Sequence, residues 1–502
     1  MYQSFIGLEV HIHLLTRTKV FCRCRSAFGD EPNTNVCPVC LGYPGVLPTL
    51  NIEAMRMGCM VARSLNCTIP PQTWFERKQY FYPDMTKNYQ ISQFASPLGQ
   101  QGCLVLEGRG TDGKQITKKV RIKECHLEED AGKMIHTGTV SLLDYNRAGV
   151  SLLEIVTEPD MESGEEAELF IQTLRRMVRY LGVCDGNMEE GSLRADANVS
   201  INLPGKGLGK KVEIKNLNSS RFVRLGLNYE IRRQEEMLDA GKTVVQETRL
   251  WNENRDETFP MRQKENAQDY RYFPEPDLPV FCPDEPFLKS VENALVELPR
   301  DRTVRMIKEY GLSAEQAELI CDEKTGADYF EAAAAEIKKQ MEAKGEISGQ
   351  AVRIANWFLS DIKHILNQKG MALKDIGSFA LNPRRLAALA VMLGAGRITG
   401  KLAKQCMEII AAEDRDPEEI VRANNWEQLA DPAKIAEVVR TVFAAEKKTA
   451  AELRAIIAAA SGVPGSEKRK KTLTAYLVGK VLAATGGRAD PKIAGIQVEE
   501  ML

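Results

Sequence analysis

The chain changes its patterning near Pro286, and that break constrains the fold more than any other feature of the sequence. Residues 1–290 are rich in Gly, Pro and Asn and carry short β-type runs. Leu104–Glu107 and Ile116–Ile122 flank Thr111-Asp112-Gly113-Lys114, which predicts a hairpin. Val199–Leu203 and Lys211–Ile214 predict a second strand pair across the Gly205–Gly209 loop. Apolar residues at helical spacing interrupt the strands at Glu53–Leu65, Gly164–Leu181 and Phe222–Ala240. Beyond Pro286, residues 288–345 and 350–460 are rich in Ala, Leu and Glu and read as consecutive helices. Asn382-Pro383 and Asp416-Pro417 have the form of helix starts, because proline lacks an amide hydrogen that the first helical position does not need. Gly400 and Gly462 mark breaks. An interleaved strand-and-helix half followed by an all-helical half predicts the α+β class with a mostly antiparallel sheet. With 502 residues there is chain for about three domains.

Hydrophobic content of 43% and charged content of 27% are those of a globular chain. The net charge of −2 excludes a global field attracting nucleic acid, so any such binding uses local patches. The basic run Lys468, Arg469, Lys470 and Lys471, with Lys480, Arg488 and Lys492, is one such patch or a solvated helix end. No run reaches the roughly 18 apolar residues of a membrane span. The N-terminus lacks the basic region and apolar stretch of a secretion signal, so a cytoplasmic protein without membrane contact is expected. In a reducing compartment its 12 cysteines are metal ligands or core residues rather than disulfides.

Four of those cysteines stand out. Cys22-x-Cys24 and Cys37-x-x-Cys40 form two close pairs, the donor set of a closed, structural Zn²⁺ site. Four reduced, buried thiols are the alternative. The other eight are scattered and read as ordinary core or surface residues.

His126-Leu127-Glu128-Glu129-Asp130-Ala131-Gly132-Lys133 packs three adjacent carboxylates between a histidine and a lysine, and Glu9-Val10-His11 is a second such cluster. Neighbouring carboxylates repel unless a cation neutralises them, and Mg²⁺ takes oxygen ligands while bridging to phosphates. A solvated acidic turn is the alternative. The stretch Arg77–Gln93 alternates cations and tyrosines, which suits phosphates and a nucleobase, or else a tyrosine-rich edge strand. On a strand, Arg194, Asp196 and Asn198 share one face. Lys215–Ser219 and Asp269–Asp277 add further polar clusters. Together they point to a large polar site that uses metal and phosphate. Gly108–Lys114 has the spacing of a phosphate loop, but Gln115 replaces its hydroxyl residue and a strand follows, so it reads as a hairpin turn.

The motifs Gly7-Leu8-Glu9-Val10-His11, Val36–Gly42, Tyr80-Phe81-Tyr82-Pro83-Asp84, Tyr89–Gln93, His126–Lys133, Met188–Arg194 and Asp269–Asp277 resemble the B subunits of the aspartyl/glutamyl-tRNA(Asn/Gln) amidotransferases. The resemblance is dense over residues 1–280 and continues as a pattern to the C-terminus. It departs at Ser151, where the family pattern carries proline, and at Lys480 and Leu482 in the tail.

The resemblance implies a cradle-like catalytic domain over residues 1–292 with a zinc knuckle near 22–40. A helical domain over 293–405 and a small tRNA-binding tail over 406–502 follow. It implies an ATP-dependent, glutamine-hydrolysing carbon–nitrogen ligase. ATP phosphorylates the side-chain carboxylate of Glu-tRNA(Gln) or Asp-tRNA(Asn), and ammonia displaces the phosphate. The family's A subunit, an amidase, would supply ammonia through a channel, and its small C subunit would clasp the two. Carried onto this sequence, Glu9, His11, Glu128 and Glu129 are the expected Mg²⁺ and ammonia-gate residues. Lys78, Tyr80, Tyr82, Asp84 and Lys87 are expected at the phosphate and acyl-adenosine end, with Glu190, Ser192, Arg194 and Asp196 as further walls. Cys22, Cys24, Cys37 and Cys40 are expected to hold Zn²⁺, and Lys468, Arg469, Lys470 and Lys471 to meet the tRNA backbone. The competing reading is a zinc-containing tRNA-binding scaffold whose partners perform all the chemistry.

Overall fold

The computed structural model describes residues 2–111, 113–261, 269–341, 348–427, 429, 431–458 and 466–501; Asp112 of the expected hairpin turn and the expected break at Gly462 lie outside them. The chain divides into two compact units, Met1–Pro299 and Arg300–Leu502.

The first unit contains the strands β1 (Gln3–His13), β2 (Glu76–Gln79), β3 (Tyr89–Ser92), β4 (Gly99–Arg109), β5 (Gln115–Glu129), β6 (Lys133–Thr137), β7 (Val140–Asp144), β8 (Ser151–Thr157), β9 (Leu193–Asn202), β10 (Val212–Lys215), β11 (Glu247–Asn252), β12 (Glu257–Pro260) and β13 (Phe273–Pro274). Eleven of them form one sheet in the order β12-β11-β10-β9-β1-β8-β5-β3-β2-β13, with β4 also paired to β5, while β6 and β7 make a separate hairpin. Among the described pairings of these strands only β10 with β11 is parallel. The expected hairpin is β4–β5, with Arg109 opposite Gln115 and Gly113 at φ +80 in the turn. The second expected pair is β9–β10, with Val199 opposite Val212. The α+β expectation therefore holds.

The sheet has two chemically different faces. On β1 the side chains of Ile6, Leu8, Val10 and Ile12 are buried, while Glu9, His11 and His13 point the other way. The apolar row packs with residues of α1 (Ile52–Ser64), α2 (Gly164–Tyr180) and α3 (Ser220–Asp239) into one core. A one-residue slip of β1 would put three polar side chains into that core. Burying each of the displaced apolar ones contributes about 1.5–3 kcal/mol, so the register is strongly specified. The three helices start where their caps dictate: Asn51, Ser163 and Ser219 accept from the backbone N–H of Glu53, Glu166 and Phe222. β4 lies so close to the end of α1 that a Cβ on Gly102 would sit 2.5 Å from the Leu65 carbonyl oxygen.

The composition break and the packing boundary differ. Pro286 lies in the first turn of α4 (Glu285–Ala294), and Val291 of that helix is buried in the first unit's core. The amphipathic face of α4 thus keeps it with the sheet, beyond the expected limit at 292. In the second unit, residue 405 falls inside the helix Gly400–Glu413, whose Cys406, Met407 and Ile410 are buried in a core spanning Met306 to Val421. A second core runs from Ile435 to Val498. The helices at Pro383–Gly394 and Pro417–Ala423 begin at the expected prolines, and Gly400 opens its helix behind the cap Thr399. No helix among the described residues is long and apolar enough to cross a membrane.

Candidate active site

Cross-strand register builds the site. Arg194 on β9 lies opposite His11 on β1, His11 opposite Glu154 on β8, and Glu154 opposite His126 on β5. These four polar side chains form one row across the face of the sheet away from the helices. Glu128, two residues beyond His126, shares the face and sits opposite Ser92 on β3, whose hydroxyl donates to it at 3.3 Å. The Glu154 carboxylate lies 3.3 Å from His11 Nε2 and 3.1 Å from His126 Nε2, and Glu128 is 3.7 and 3.8 Å from the same two nitrogens. One ligand atom each from His11, Glu128 and Glu154 falls within 4.8 Å of the others. Two carboxylates beside an imidazole fit a hard divalent ion that keeps waters in its remaining positions.

The electrostatics follow from this crowding. Burial disfavours the charged imidazolium of His126, yet Glu128 and Glu154 outweigh it and push the ring up to about 10. His11 is raised in the same way, against burial, by Glu154 and Glu128. Burial opposes ionisation of Glu154, but the two histidines hold it well below the usual carboxylate range. Lys78 on β2 completes the cluster. Burial lowers its ammonium, and Glu128, Tyr272, Glu154 and Tyr270 more than compensate. Its Nζ lies 4.9 Å from the centre of the Tyr270 ring.

A second cluster adjoins the row. Asp130 accepts from Arg194 at 2.8 Å and lies 2.7 Å from His13 Nε2, with Arg147 at 3.5 Å. Burial pushes the Asp130 carboxyl up, but Arg194, His13 and Arg147 hold it well below its ordinary range. Glu9 accepts from the Asn198 amide at 2.9 Å, and Asp196 pairs with Lys215 at 2.7 Å. The expected shared face of Arg194, Asp196 and Asn198 is present. His126 Nδ1, Arg194 Nε and Asn198 Oδ1 are buried without a hydrogen-bond partner, as is Asp84 Oδ1 in the loop after β2. Gln234 Oε1 and Trp251 Nε1 are also buried without a partner, away from this face; buried polar atoms are normally satisfied, so those on the row are open to a ligand.

The expected residues do not all converge. Glu129 follows Glu128 on β5 and therefore points to the opposite face. Both its carboxylate oxygens accept from Lys87 Nζ at 2.6 Å, and the Ile91 amide donates to it at 2.9 Å. Lys87 is accordingly drawn away from the His11 row to a pocket of about 190 Å³ lined by Glu129, Cys22, Cys40 and Tyr89. Glu190 is exposed in the turn before β9, and the Ser192 hydroxyl accepts from the Asn187 amide and meets Asp185 within that turn. Tyr80 and Tyr82 pack at 5.9 Å between ring centres beside Asp84, whose carboxyl is raised by burial. Ser151 is the first residue of β8, a strand position that proline also tolerates, and its hydroxyl lies 3.0 Å from that of Thr16.

The four cysteines do converge, within 4.8 Å of one another. Zn–S bonds of about 2.3 Å at tetrahedral angles separate sulfurs by about 3.8 Å. Cys24 and Cys40 are 4.0 Å apart and Cys37 and Cys40 3.9 Å, which is compatible with zinc despite the short first spacing. The ammonium of the buried Lys19 lies 3.6 Å from Cys40 Sγ and would partly neutralise a thiolate cluster.

In the tail, Lys468, Arg469 and Lys471 are exposed on the helix Ser466–Ala484 and Lys470 is half-buried. Arg469 is paired with Glu452, and Lys480 with Glu446, so the basic patch is partly neutralised within the second unit.

Sequence reasoning missed Glu154 and gave His13 no role, while it reached Asp130, Lys215 and Tyr272 only as members of wider polar stretches. Glu154 had a signal: a lone carboxylate inside Leu152-Leu153-Glu154-Ile155-Val156 marks a strand whose one polar position faces something charged.

Residues 4–289 match the model of the GatB/GatE catalytic domain, and residues 328–502 match that of the GatB domain. The B subunit of the aspartyl/glutamyl-tRNA(Asn/Gln) amidotransferase of Crocosphaera subtropica is 42% identical, covering 100% of this chain and 98% of its own length. The proteins of the same description from Thermodesulfovibrio yellowstonii and Carboxydothermus hydrogenoformans are also 42% identical, covering 100% and 98% of this chain and 99% and 97% of their own lengths.

Proposed function

The chain belongs to the GatB/GatE family of tRNA-dependent amidotransferase B subunits, and from that premise we propose that its polar sheet face activates the side-chain carboxylate of a misacylated tRNA. A carboxylate is a poor electrophile, because its leaving group would be oxide. Transfer of the γ-phosphoryl group of ATP to the Glu or Asp carboxylate of Glu-tRNA(Gln) or Asp-tRNA(Asn) gives an acyl phosphate and ADP. Ammonia then attacks the carbonyl carbon, inorganic phosphate leaves, and a proton is lost from nitrogen to give the amide.

The observation that carries this reading is the row His11–Glu154–His126 with Glu128 and Lys78 beside it. Phosphoryl transfer needs positioning and charge neutralisation more than a protein nucleophile. His11, Glu128 and Glu154 would hold Mg²⁺, which would neutralise phosphate charge when bound. Lys78, kept protonated by its acidic neighbours, would bind phosphoryl oxygens. Asp130 holds Arg194 in place at the end of the row. Glu129, Lys87 and the pocket at the cysteine knuckle are proposed to serve ammonia entry. The cysteine quartet would hold structural Zn²⁺, and the tail from Ile435 onward would contact tRNA. The amidase (A) partner would supply ammonia from glutamine, and the small C partner would join the assembly.

The test is ATP hydrolysis by the chain reconstituted with its amidase and small C partners, offered Glu-tRNA(Gln), Asp-tRNA(Asn) or uncharged tRNA. Turnover that requires misacylated tRNA supports the reading, and the preferred acyl-tRNA sets the specificity. Turnover indifferent to the acyl group would leave the scaffold role in its place.

A further inference from the structure

We infer that the stacked rings of Phe94 and Tyr272 are the platform on which the 3′-terminal nucleobase of the acyl-tRNA stacks. The inference rests on the reading above and assigns one end of its substrate to named residues. The two rings are nearly parallel, 11° apart, with centres 4.2 Å from one another. Phe94 is nevertheless 60% exposed. An exposed ring on a loop would ordinarily be free to fold down, but this one is held. The backbone N–H groups of Phe94 and Ala95 both donate to the buried Glu76 carboxylate, at 2.7 and 2.8 Å. The preceding Gln93 donates to Thr73 Oγ1 at 2.7 Å and accepts from the Leu127 amide at 2.8 Å. A buried carboxylate and a buried amide thus fix the loop that presents the aromatic face to solvent.

The platform adjoins the carboxylate row. Ser92 lies opposite Glu128 in the sheet, and Phe94 is two residues farther, at most about 7 Å of chain. Tyr272 packs 6.0 Å from Tyr270, over whose ring Lys78 lies. An aminoacyl group is esterified to the terminal ribose, so a base stacked on Phe94 leaves the acyl side chain within reach of Lys78 and Glu128. The openness of the platform distinguishes the occupant. Small ligands such as a free nucleotide sit in concave sites that enclose most of their surface, whereas single-stranded ends splay a base onto an exposed aromatic.

The experiment measures the KM for misacylated tRNA and for ATP in the reconstituted complex carrying Phe94→Ala, Phe94→Leu or Phe94→Trp. Alongside it, the full chain is titrated with an RNA hairpin ending in CCA and with the same hairpin lacking its last adenosine. Loss of one stacked base raises the KM for tRNA roughly 5- to 160-fold in the Ala and Leu variants. The KM for ATP holds, and tryptophan restores tRNA binding. Removing the terminal adenosine weakens binding to the native chain but weakens Phe94→Ala no further. Phe94→Leu keeps apolar volume without a ring, so the readout survives if the alanine variant misfolds. An unchanged KM for tRNA overturns the inference, as does a shift confined to the KM for ATP, which marks a nucleotide site, or failure of the variants to assemble with the other two subunits, which marks a protein contact. Failure of the underlying reading shows separately, as native complex whose ATP turnover ignores tRNA.

Discussion

Replacing Glu154 with glutamine tests the chemistry of the sheet face at its centre. The side chain keeps its size and can still accept, but the negative charge between two imidazoles is lost. Glu154 meets His11 at 3.3 Å and His126 at 3.1 Å. Hydrogen bonds to charged groups contribute about 1.5–3 kcal/mol and neutral ones about 0.5–1.5, so each contact loses roughly 1–1.5 kcal/mol. Two contacts lose about 2–3 kcal/mol; the part of this that orders the row for phosphoryl transfer lowers kcat/KM, by at most roughly 30- to 160-fold at 1.36 kcal/mol per decade. The assay is misacylated-tRNA-dependent ATP turnover by the reconstituted complex, repeated across Mg²⁺ concentrations. The Mg²⁺ requirement should move upward, because a proposed ligand has lost its charge. Asp160→Asn is the control: it breaks an ion pair with the exposed Arg121 outside the row and should leave turnover as it was. Glu154→Gln with native kcat/KM and native Mg²⁺ dependence would refute the reasoning and leave the row as a structural network.

Two further outcomes concern stability. Metal analysis of the purified chain should find about one zinc, and Cys40→Ser should lose it. Loss of several kcal/mol at roughly 2–4 °C per kcal/mol should then lower the melting temperature of the first unit by at least about 5 °C; a zinc-free native chain would exclude the site. In the second unit, burial raises the Glu331 carboxyl, but Arg305 and Arg302 outweigh it and hold it below its ordinary value. Its contribution is therefore present above the unfolded carboxylate pKa and lost as pH falls through the lowered folded one. Arg302→Ala should destabilise by about 1–3 kcal/mol at neutral pH, and the difference from the native chain should shrink in acid denaturation curves below about pH 4. A pH-independent difference would mean that lost packing of Arg302, rather than its ion pairs, causes the effect.

Local signals carried much of the fold. Asn382-Pro383 and Asp416-Pro417 announced helices because the first helical position suits a residue without an amide hydrogen. The run Val199–Leu203 announced a strand, which the structure extends back to Leu193, so that Arg194, Asp196 and Asn198 share one face as a strand requires. The boundaries were less legible. The change in composition at Pro286 preceded the packing boundary, because whether α4 joins the sheet or the helices depends on what its apolar face meets, and composition does not record that.

The candidate site divides along the same line. Spacing alone brought Cys22, Cys24, Cys37 and Cys40 together, because a short loop leaves two close pairs few other places to go. Reading His126–Lys133 as one acidic cluster joined Glu128 to Glu129, which the strand sends to opposite faces. By itself the sequence determined which residue types alternate, where helices begin and which cysteines can share an ion. Only the tertiary structure decided that His11, His126 and Glu154 meet, because that depends on the strand order β1-β8-β5 and its register. Register is set by how whole apolar rows pack against the helices, a long-range balance that no local window of residues contains.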